Sequence, residues 1–297
     1  MQEQNTIEFS PFLIGTMRLG DWGVKMSSIE LENFIDACLD LGLKDFDHAD
    51  IYGHYTEESR FGTVIKRRQD LKSKIQITTK CGIKLTTPNR PDHSIKSYDS
   101  TKSHIIKSTE NSLTELGIEH IDVLLIHRPD YLMDPNEIAE AFSQLQSSGK
   151  VRAFGVSNFT NSQVELLHKH FPLITNQVEI SLLHTNAIED GTLDQCMLKR
   201  IIPTAWSPFG GGALFSTSDD PKILRIQKTA TALGEKYNAD IDQILLAWID
   251  KHPAGIIPVL GSTKIERIEK ALASKKISLT HEEWYLLWEA AIGQEVA

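Results

Sequence analysis

Four polar side chains of the sequence fall at the ends of short apolar segments, where they can do acid–base chemistry together. Asp47 and Tyr52 follow the second segment, Lys80 follows the third, and His127 ends the fourth. If these segments are neighbouring parallel strands of a barrel, their carboxyl ends meet and bring the four side chains into one cluster. A lone lysine is usually solvent-facing and a lone tyrosine usually packs, so the shared placement carries the prediction.

A phenol beside an ammonium group is a usable proton donor. Free tyrosine has a pKa of about 10, and a nearby cation lowers that pKa because it stabilises the phenolate. We expect Lys80 to lower the pKa of Tyr52 by about 2–3 units, with Asp47 holding Lys80 charged and oriented. His127 is then placed to hydrogen-bond the reacting oxygen, with its tautomer left open.

The elements that must position these residues alternate between two kinds. Short segments, apolar on both faces, are typical of parallel strands covered by helices. Strict alternation with helical segments predicts an α/β fold, and eight such units predict a (β/α)8 TIM barrel. The predicted strands are 12–14, 43–46, 75–79, 121–126, 151–156, 174–178, 201–205 and 256–260. The predicted helices are 28–41, 57–68, 101–116, 136–148, 160–170, 221–236 and 264–274.

The 297 residues fit one barrel with a few insertions, and no linker divides them, so we expect a single domain over 1–297. Residues 280–292 predict an extra C-terminal helix, and 81–100 predict a long polar loop. Ser27 and Glu30 predict a capping box, and Gly117 predicts a helix stop. Pro258 is a misfit in the last strand, because it lacks an N–H for the ladder.

The bulk composition excludes several classes of partner and location. A net charge of −9 and a pI of about 5.7 disfavour nucleic acid and anionic membrane surfaces. No apolar run reaches the roughly 18 residues of a membrane helix, and the first ten residues do not resemble a secretory signal. Scattered Cys38, Cys81 and Cys196 predict reduced thiols in a cytoplasmic protein. We expect no metal site, because Lys80 gives Asp47 a better use.

Several strings of the sequence resemble hallmarks of the aldo-keto reductases. Asp-x-Ala-x-x-Tyr-Gly at 47–53, then Lys80 and Leu-Leu-Ile-His at 124–127, is similar to the catalytic tetrad of that family. Three more family-like strings follow in the family's order, at 149–159, 205–212 and 261–267. The IHRPD, DGTLDQ and GKVRAFGVSNF strings resemble the YdhF-type bacterial oxidoreductases. The resemblance covers nearly the whole chain.

This resemblance implies an oxidoreductase that moves hydride between NADP(H) and an aldehyde, ketone or alcohol. As hydride arrives, the carbonyl oxygen gains negative charge, which a proton donor, here Tyr52 as general acid/base, must meet. The resemblance also implies that Ser157, Asn158 and Gln177 hydrogen-bond the nicotinamide carboxamide. Trp206 takes the position of a family aromatic that stacks on nicotinamide.

The phosphates of the cofactor must be held without a Rossmann or P-loop motif, since neither occurs in the sequence. Barrels often bind phosphate after strands seven and eight. Lys264 and Arg267 open the last barrel helix, whose N-terminus attracts phosphate, and two cations favour NADPH over NADH. The resemblance implies further cofactor contacts from Ser207, Pro208, Phe209, Gly210, Gly211 and Ser262.

Two other functions remain open at this point. A non-catalytic NADPH-binding regulatory subunit would share the barrel and the tetrad. A Schiff-base aldolase would use Lys80 as its nucleophile, but leaves the motifs of the second half unexplained. The sequence also leaves open the natural substrate, the direction of the reaction and the strictness of NADPH use. A redox role of Cys81 stays open as well, as does the oligomeric state, which is a monomer or a weak homo-oligomer. Trp22 and Tyr131 are candidate pocket walls.

Overall fold

Eight parallel strands of the computed structural model close into a barrel, and two more strands form a separate hairpin. The structure describes residues 7–297, so residues 1–6 of the segment tested for a secretory signal lie outside it. The strands are β1 (Leu13–Gly15), β2 (Asp45–Asp47), β3 (Gln76–Cys81), β4 (Ile83–Lys84), β5 (Ser97–Tyr98), β6 (Ile121–Ile126), β7 (Val151–Ser157), β8 (Thr175–Glu179), β9 (Ile202–Trp206) and β10 (Ile257–Leu260). Around the barrel their order is β1-β10-β9-β8-β7-β6-β3-β2. The predicted (β/α)8 TIM barrel is confirmed.

Helices follow the barrel strands along the chain. The α-helices of the described residues are α1 (Ser28–Asp40), α2 (Tyr52–Tyr55), α3 (Glu57–Arg67), α4 (Lys102–Leu116), α5 (Pro135–Ser147), α6 (Asn161–His168), α7 (Asn186–Glu189), α8 (Thr192–Lys199), α9 (Pro221–Tyr237), α10 (Ile241–Asp250), α11 (Ile265–Ala273) and α12 (His281–Ile292). Short 3₁₀ helices cover Gln69–Ser73, Gly210–Phe215 and Ser274–Lys276. Helix α12 is the predicted extra C-terminal helix.

Local sequence signals set the helix ends. At the start of α1, the Glu30 N–H donates to Ser27 Oγ at 3.3 Å, and the Ser27 N–H donates to Glu30 Oε2 at 2.7 Å. This is the predicted capping box, which satisfies two N–H groups that the helix itself leaves unpaired. Gly117 ends α4 with a φ of 70°, a left-handed conformation in which glycine lacks the steric penalty of other residues.

The structure adds elements that the patterns did not predict. The expected polar loop 81–100 contains the β4–β5 hairpin, with Ile83 opposite Tyr98. Helix α10 was missed because six consecutive residues, 244–249, are buried, so its sequence lacks the polar face of an amphipathic helix. The short α7 and α8 were missed as well. Pro258 does lie within β10, opposite Ala205 of β9.

The chain divides into two compact units. The first runs to Gln177 and includes Gly261–Thr263, and the second comprises Val178–Leu260 and Lys264–Ala297. The core of the first unit contains a ring stack of Phe142 on Phe154, with centroids 4.2 Å apart. In the second unit the indole rings of Trp248, Trp284 and Trp288 stack in the core. The single-domain prediction stays a prediction. Within residues 7–297, none of the helices combines the length and the apolar composition that a membrane span needs.

Candidate active site

In the first unit, the buried Lys80 contacts two of the other three predicted catalytic residues, Asp47 and Tyr52. Lys80 Nζ donates to Asp47 Oδ2 at 2.6 Å and to the His48 carbonyl at 2.8 Å. The same nitrogen lies 3.4 Å from Tyr52 Oη. Lys80 is 1% exposed and Asp47 is 2% exposed, so water does not screen their ion pair. Asp47 ends β2 and Lys80 lies near the end of β3, as the strand pattern predicted.

Tyr52 lies at the start of a left-handed turn. Gly53, His54 and Tyr55 have φ values of 57°, 58° and 69°, respectively. Two of these three are not glycine, and such residues in this region carry a backbone cost that surrounding contacts must offset. The turn directs the Tyr52 ring towards Trp22 and His127, whose ring centroids lie 6.1 Å and 6.0 Å away.

The acidity of Tyr52 differs from the prediction. Burial raises the pKa of the Tyr52 phenol above its usual value, and the Asp47 charge adds to that rise, while Lys80 lowers it. The prediction that Lys80 lowers the pKa of Tyr52 below its usual value is wrong for the protein without bound ligands. The desolvation of the phenolate outweighs the attraction of the ammonium group. Tyr52 is therefore a protonated phenol at neutral pH.

Lys80 is held in its charged form. Burial works against the ammonium charge, but Asp47 and Tyr52 together raise the pKa of Lys80 above its usual value. A Schiff base requires a neutral amine nucleophile. The ion pair with Asp47 thus disfavours the aldolase interpretation of Lys80.

His127, directly after β6, presents a neutral imidazole. Burial lowers the pKa of His127 well below its usual value, and the charges of Lys80 and Arg128 act in the same direction. Its Nδ1 is buried and has no hydrogen-bond partner among the described residues. A neutral imidazole carries one N–H donor, so it can donate a hydrogen bond to a substrate oxygen without adding charge.

The three residues expected near a carboxamide form a connected chain of hydrogen bonds between the end of β7 and the middle of β8. Asn158 Nδ2 donates to Ser157 Oγ at 2.7 Å, and Ser157 Oγ donates to the Gln177 carbonyl at 2.9 Å. Gln177 Nε2 then donates to Asp47 Oδ1 at 2.9 Å. The structure therefore joins this trio to the Asp47–Lys80–Tyr52 cluster, a link that no sequence pattern indicated.

The remaining predicted cofactor residues belong mainly to the second unit. Trp206 ends β9, Ser207 has a φ of 50°, and a 3₁₀ helix begins at Gly210. Gly212 has a φ of 100°, and a methyl group on its Cα would meet no atom within 4 Å, so a ligand can approach this backbone closely. Pro208, Phe209 and Gly211 lie in the same stretch.

The predicted phosphate-binding cations lie at the start of α11. Lys264 is the N-cap residue of this helix, and Arg267 lies in its first turn. Both side chains are exposed, as a group that meets a charged ligand from solvent must be. Ser262 precedes them and belongs to the first unit.

A model of the aldo/keto reductase family matches residues 11–292. The chain belongs to the aldo/keto reductase family. The oxidoreductase YdhF of Escherichia coli is 44% identical to it, over 97% of this chain and 96% of YdhF. A 6-dehydroglucose reductase of Agrobacterium fabrum is 40% identical over 98% and 97% of the two chains. The solved structure of a glycerol dehydrogenase from Gluconobacter oxydans matches with a TM-score of 0.84 at 24% identity. The match covers 98% of this chain and 94% of the dehydrogenase, so the two share a fold.

The turn that begins at Tyr52 is tied to the β4–β5 hairpin through Tyr55, which the sequence reasoning missed. Tyr55 Oη donates to the Ile83 carbonyl at 3.1 Å and accepts from the Leu85 N–H at 2.9 Å. The Arg90 guanidinium lies 4.4 Å from the centroid of the Tyr55 ring. The DxAxxYG string marks Tyr52 and gives no signal for a second tyrosine three residues later.

A second buried polar cluster was also missed. Ser108 Oγ donates to Asp50 Oδ2 at 2.7 Å, and Thr79 Oγ1 donates to Glu58 Oε1 at 2.6 Å. Burial, together with the charge of Glu58, raises the pKa of Asp50 to about 8. Burial raises the pKa of Glu58 to about 7. Carboxyl groups that hold protons near neutrality are poor metal ligands, and no metal-binding group of three is found within residues 7–297.

The secondary expectations have mixed outcomes. Trp22 does contact Tyr52, as a pocket wall would. Tyr131 is 86% exposed, so most of its ring faces solvent. Cys81 is a buried free thiol, and burial raises its pKa well above the usual value, so it is not the reactive thiolate that a redox role requires.

Proposed function

We propose that this protein is an NADPH-dependent carbonyl reductase that transfers hydride between NADP(H) and an aldehyde, ketone or alcohol. The observation that carries the proposal is the buried Lys80 ammonium, which donates to Asp47 and lies within hydrogen-bond reach of Tyr52. Family membership and relatives named as oxidoreductases support the general class of reaction.

Tyr52 would act as the general acid in reduction and as the general base in oxidation. Because burial keeps its phenol protonated, Tyr52 holds the proton that the developing alkoxide requires. Lys80 stabilises the phenolate as that proton leaves, and Asp47 keeps Lys80 charged. The neutral His127 would orient the carbonyl oxygen by a hydrogen bond.

The bound cofactor would supply the hydride. The residues present suit a nicotinamide nucleotide in two respects. Ser157, Asn158 and Gln177 offer amide and hydroxyl groups beside Tyr52 and its partners, as a carboxamide requires. In the second unit, the open glycine backbone around Gly212 suits a diphosphate, and Trp206 lies in the same loop for stacking.

Preference for NADPH would rest on Lys264 and Arg267. A 2′-phosphate gains charge-assisted hydrogen bonds from such cations at a helix start, whereas NADH has no group there. Arg267→Ala should weaken NADPH binding by about tenfold or more and NADH binding much less, as measured by fluorescence titration. Lys276→Ala, an exposed cation elsewhere, is the control. Equal weakening of both cofactors by Arg267→Ala would refute the role.

The substrate would be a small carbonyl compound or alcohol. One relative is named for reduction of 6-dehydroglucose, so sugar aldehydes belong in the test panel beside aromatic aldehydes and simple ketones. We further propose a single-domain, cytoplasmic protein that is a monomer or a weak homo-oligomer, with neither nucleic acid nor membrane as its partner.

Steady-state oxidation of NADPH by this panel tests the proposed function. Tyr52→Phe should lower kcat by about 10²–10⁴-fold with cofactor affinity retained, because phenylalanine keeps the ring but has no hydroxyl proton to donate. Tyr285→Phe, at a partly exposed tyrosine of α12, should turn over normally. Unimpaired turnover by Tyr52→Phe would overturn the assignment. Tight NADPH binding without turnover of any carbonyl would instead favour the regulatory subunit.

A further inference from the structure

A basic cavity lies at the amino ends of four neighbouring barrel strands of the first unit. It measures about 410 Å³, and its polar lining includes Lys44, Lys72, Lys74, Gln76, His120 and Arg152. These residues precede or begin β2, β3, β6 and β7, whereas Asp47, Lys80, His127 and Ser157 lie at the other ends of the same strands. The cavity is therefore separate from the candidate active site.

The floor of the cavity is fixed by the barrel itself. The Gln76 N–H donates to the Lys44 carbonyl at 2.7 Å, which holds the starts of β2 and β3 together. The Arg152 guanidinium donates to Asp122 Oδ1 at 2.8 Å. Asp122 is 3% exposed and also accepts from the Ile77 N–H at 2.8 Å, so Arg152 is anchored to a buried and satisfied carboxylate.

The charged side chains that line the cavity all carry the same sign. Four permanent cations line it and no carboxylate does, although the whole chain carries a net charge of −9. Lys44 makes no ion pair within the described part of the chain. Lys72 is paired with Glu119, whose side chain is 74% exposed, and such exposed pairs contribute little, so Lys72 can change partner at small cost. Lys74 is paired with Asp70, also outside the lining.

We propose that this cavity binds a small polyanion that carries two or more phosphate or carboxylate groups. A concave site lined by one sign of charge concentrates counter-ions of the opposite sign. The volume lies within the range of small-molecule pockets, which is about 300–1,000 Å³. The Arg152 guanidinium has five N–H donors, of which the bond to Asp122 uses one, so donors remain for a ligand. The proposal does not depend on the proposed reductase activity.

Calorimetric titration with inorganic pyrophosphate tests the proposal, at an ionic strength of about 0.1 M and against sodium chloride of equal ionic strength. Wild type should bind pyrophosphate saturably, and Lys44→Glu should weaken the affinity by about tenfold or more, because an anion then faces the ligand. Lys251→Glu changes the net charge equally at an exposed position elsewhere, and should alter the affinity by roughly twofold at most, because distant charges are screened. Wild type saturated with NADP⁺, which fills the proposed cofactor site, should still bind pyrophosphate, and this separates the cavity from that site.

Amine-reactive labelling of the wild-type protein gives a second measurement that needs no variant. Pyrophosphate should slow the labelling of Lys44, Lys72 and Lys74, as followed by mass spectrometry, and leave Lys251 unchanged. The proposal is overturned if wild type shows no saturable heat beyond that of sodium chloride. Equal affinities of Lys44→Glu and Lys251→Glu, or protection of Lys251 alone, would overturn it as well.

Discussion

Two buried polar clusters contact neighbouring residues of β3, and they stabilise buried carboxyl groups in different ways. Side chains alternate along a strand, so Thr79 and Lys80 point to opposite faces of the barrel wall. Lys80 donates to the buried Asp47 carboxylate. Thr79 donates to the buried Glu58, which belongs with Asp50 to the second cluster. Both faces therefore bury carboxyl groups within a short distance along the chain.

The difference lies in the direct partner of each carboxyl group. An ammonium group meets Asp47, and together they form an ion pair that keeps Lys80 charged. Hydroxyl groups meet Asp50 and Glu58, and burial raises the pKa values of these acids to about 8 and about 7. Depth of burial is thus a poor guide to charge, because Lys80 stays charged in contact with a carboxylate, whereas Asp50 and Glu58, which meet hydroxyl groups, hold protons near neutrality.

Removal of the Lys80 ammonium group should change the stability of the protein more than any other change to the two clusters. Lys80→Met keeps much of the side-chain volume but leaves Asp47 buried without its partner, which should cost about 3–5 kcal/mol of unfolding free energy. Urea unfolding measures that loss. In the double variant Asp47→Asn/Lys80→Met no buried charge remains, so much of the stability should return. If the stability losses of Asp47→Asn and Lys80→Met simply add in the double variant, the ion pair does not stabilise this cluster.

The pH dependence of stability should show the next largest effect, and it comes from the second cluster. The folded protein holds protons on Asp50 and Glu58 that the unfolded chain releases above about pH 4. Stability from these groups is therefore present at low pH and is lost as pH rises towards about 8, with a slope of up to about 1.4 kcal/mol per pH unit for each proton.

Asp50→Asn should flatten this slope, because an amide does not titrate. Its stability should be close to that of wild type near pH 4 and greater than that of wild type at pH 6 and above. Urea unfolding across the neutral range provides the measurement. Asp92→Asn, at an exposed loop position, is the matched control and should keep the wild-type slope. A wild-type slope in Asp50→Asn would mean that Asp50 is already ionised in the folded protein.

The smallest effect should come from the turn that joins the two clusters. The turn begins at Tyr52, Asp50 lies just before it, and Tyr55 anchors it to the hairpin. Tyr55→Phe removes both hydrogen bonds to the hairpin, each worth about 1 kcal/mol net. Amide exchange at Leu85 should accelerate and kcat/KM for the carbonyl should fall several-fold. Unchanged exchange at Leu85 would show that the ring contacts alone hold the hairpin.

The order and spacing of the residues were enough to predict the barrel and much of the candidate active site. Apolar segments too short for helices, alternating with helical stripes, predicted all eight barrel strands, because parallel strands covered on both faces need that pattern. The same rhythm placed Asp47, Tyr52, Lys80 and His127 at one end of neighbouring strands. Local signals such as the Ser27–Glu30 capping box also held, since their partners lie within one helical turn.

The electrostatics and the contacts between distant segments depend on the folded arrangement, which local sequence patterns do not specify. Tyr52 has a raised pKa because desolvation outweighs Lys80, and desolvation depends on the whole surrounding shell of atoms. Gln177 reaches Asp47 across 130 positions of sequence. The β4–β5 hairpin and the proton-holding Asp50 and Glu58 depend likewise on segments that only the folded barrel brings together, and no local pattern encodes such distances.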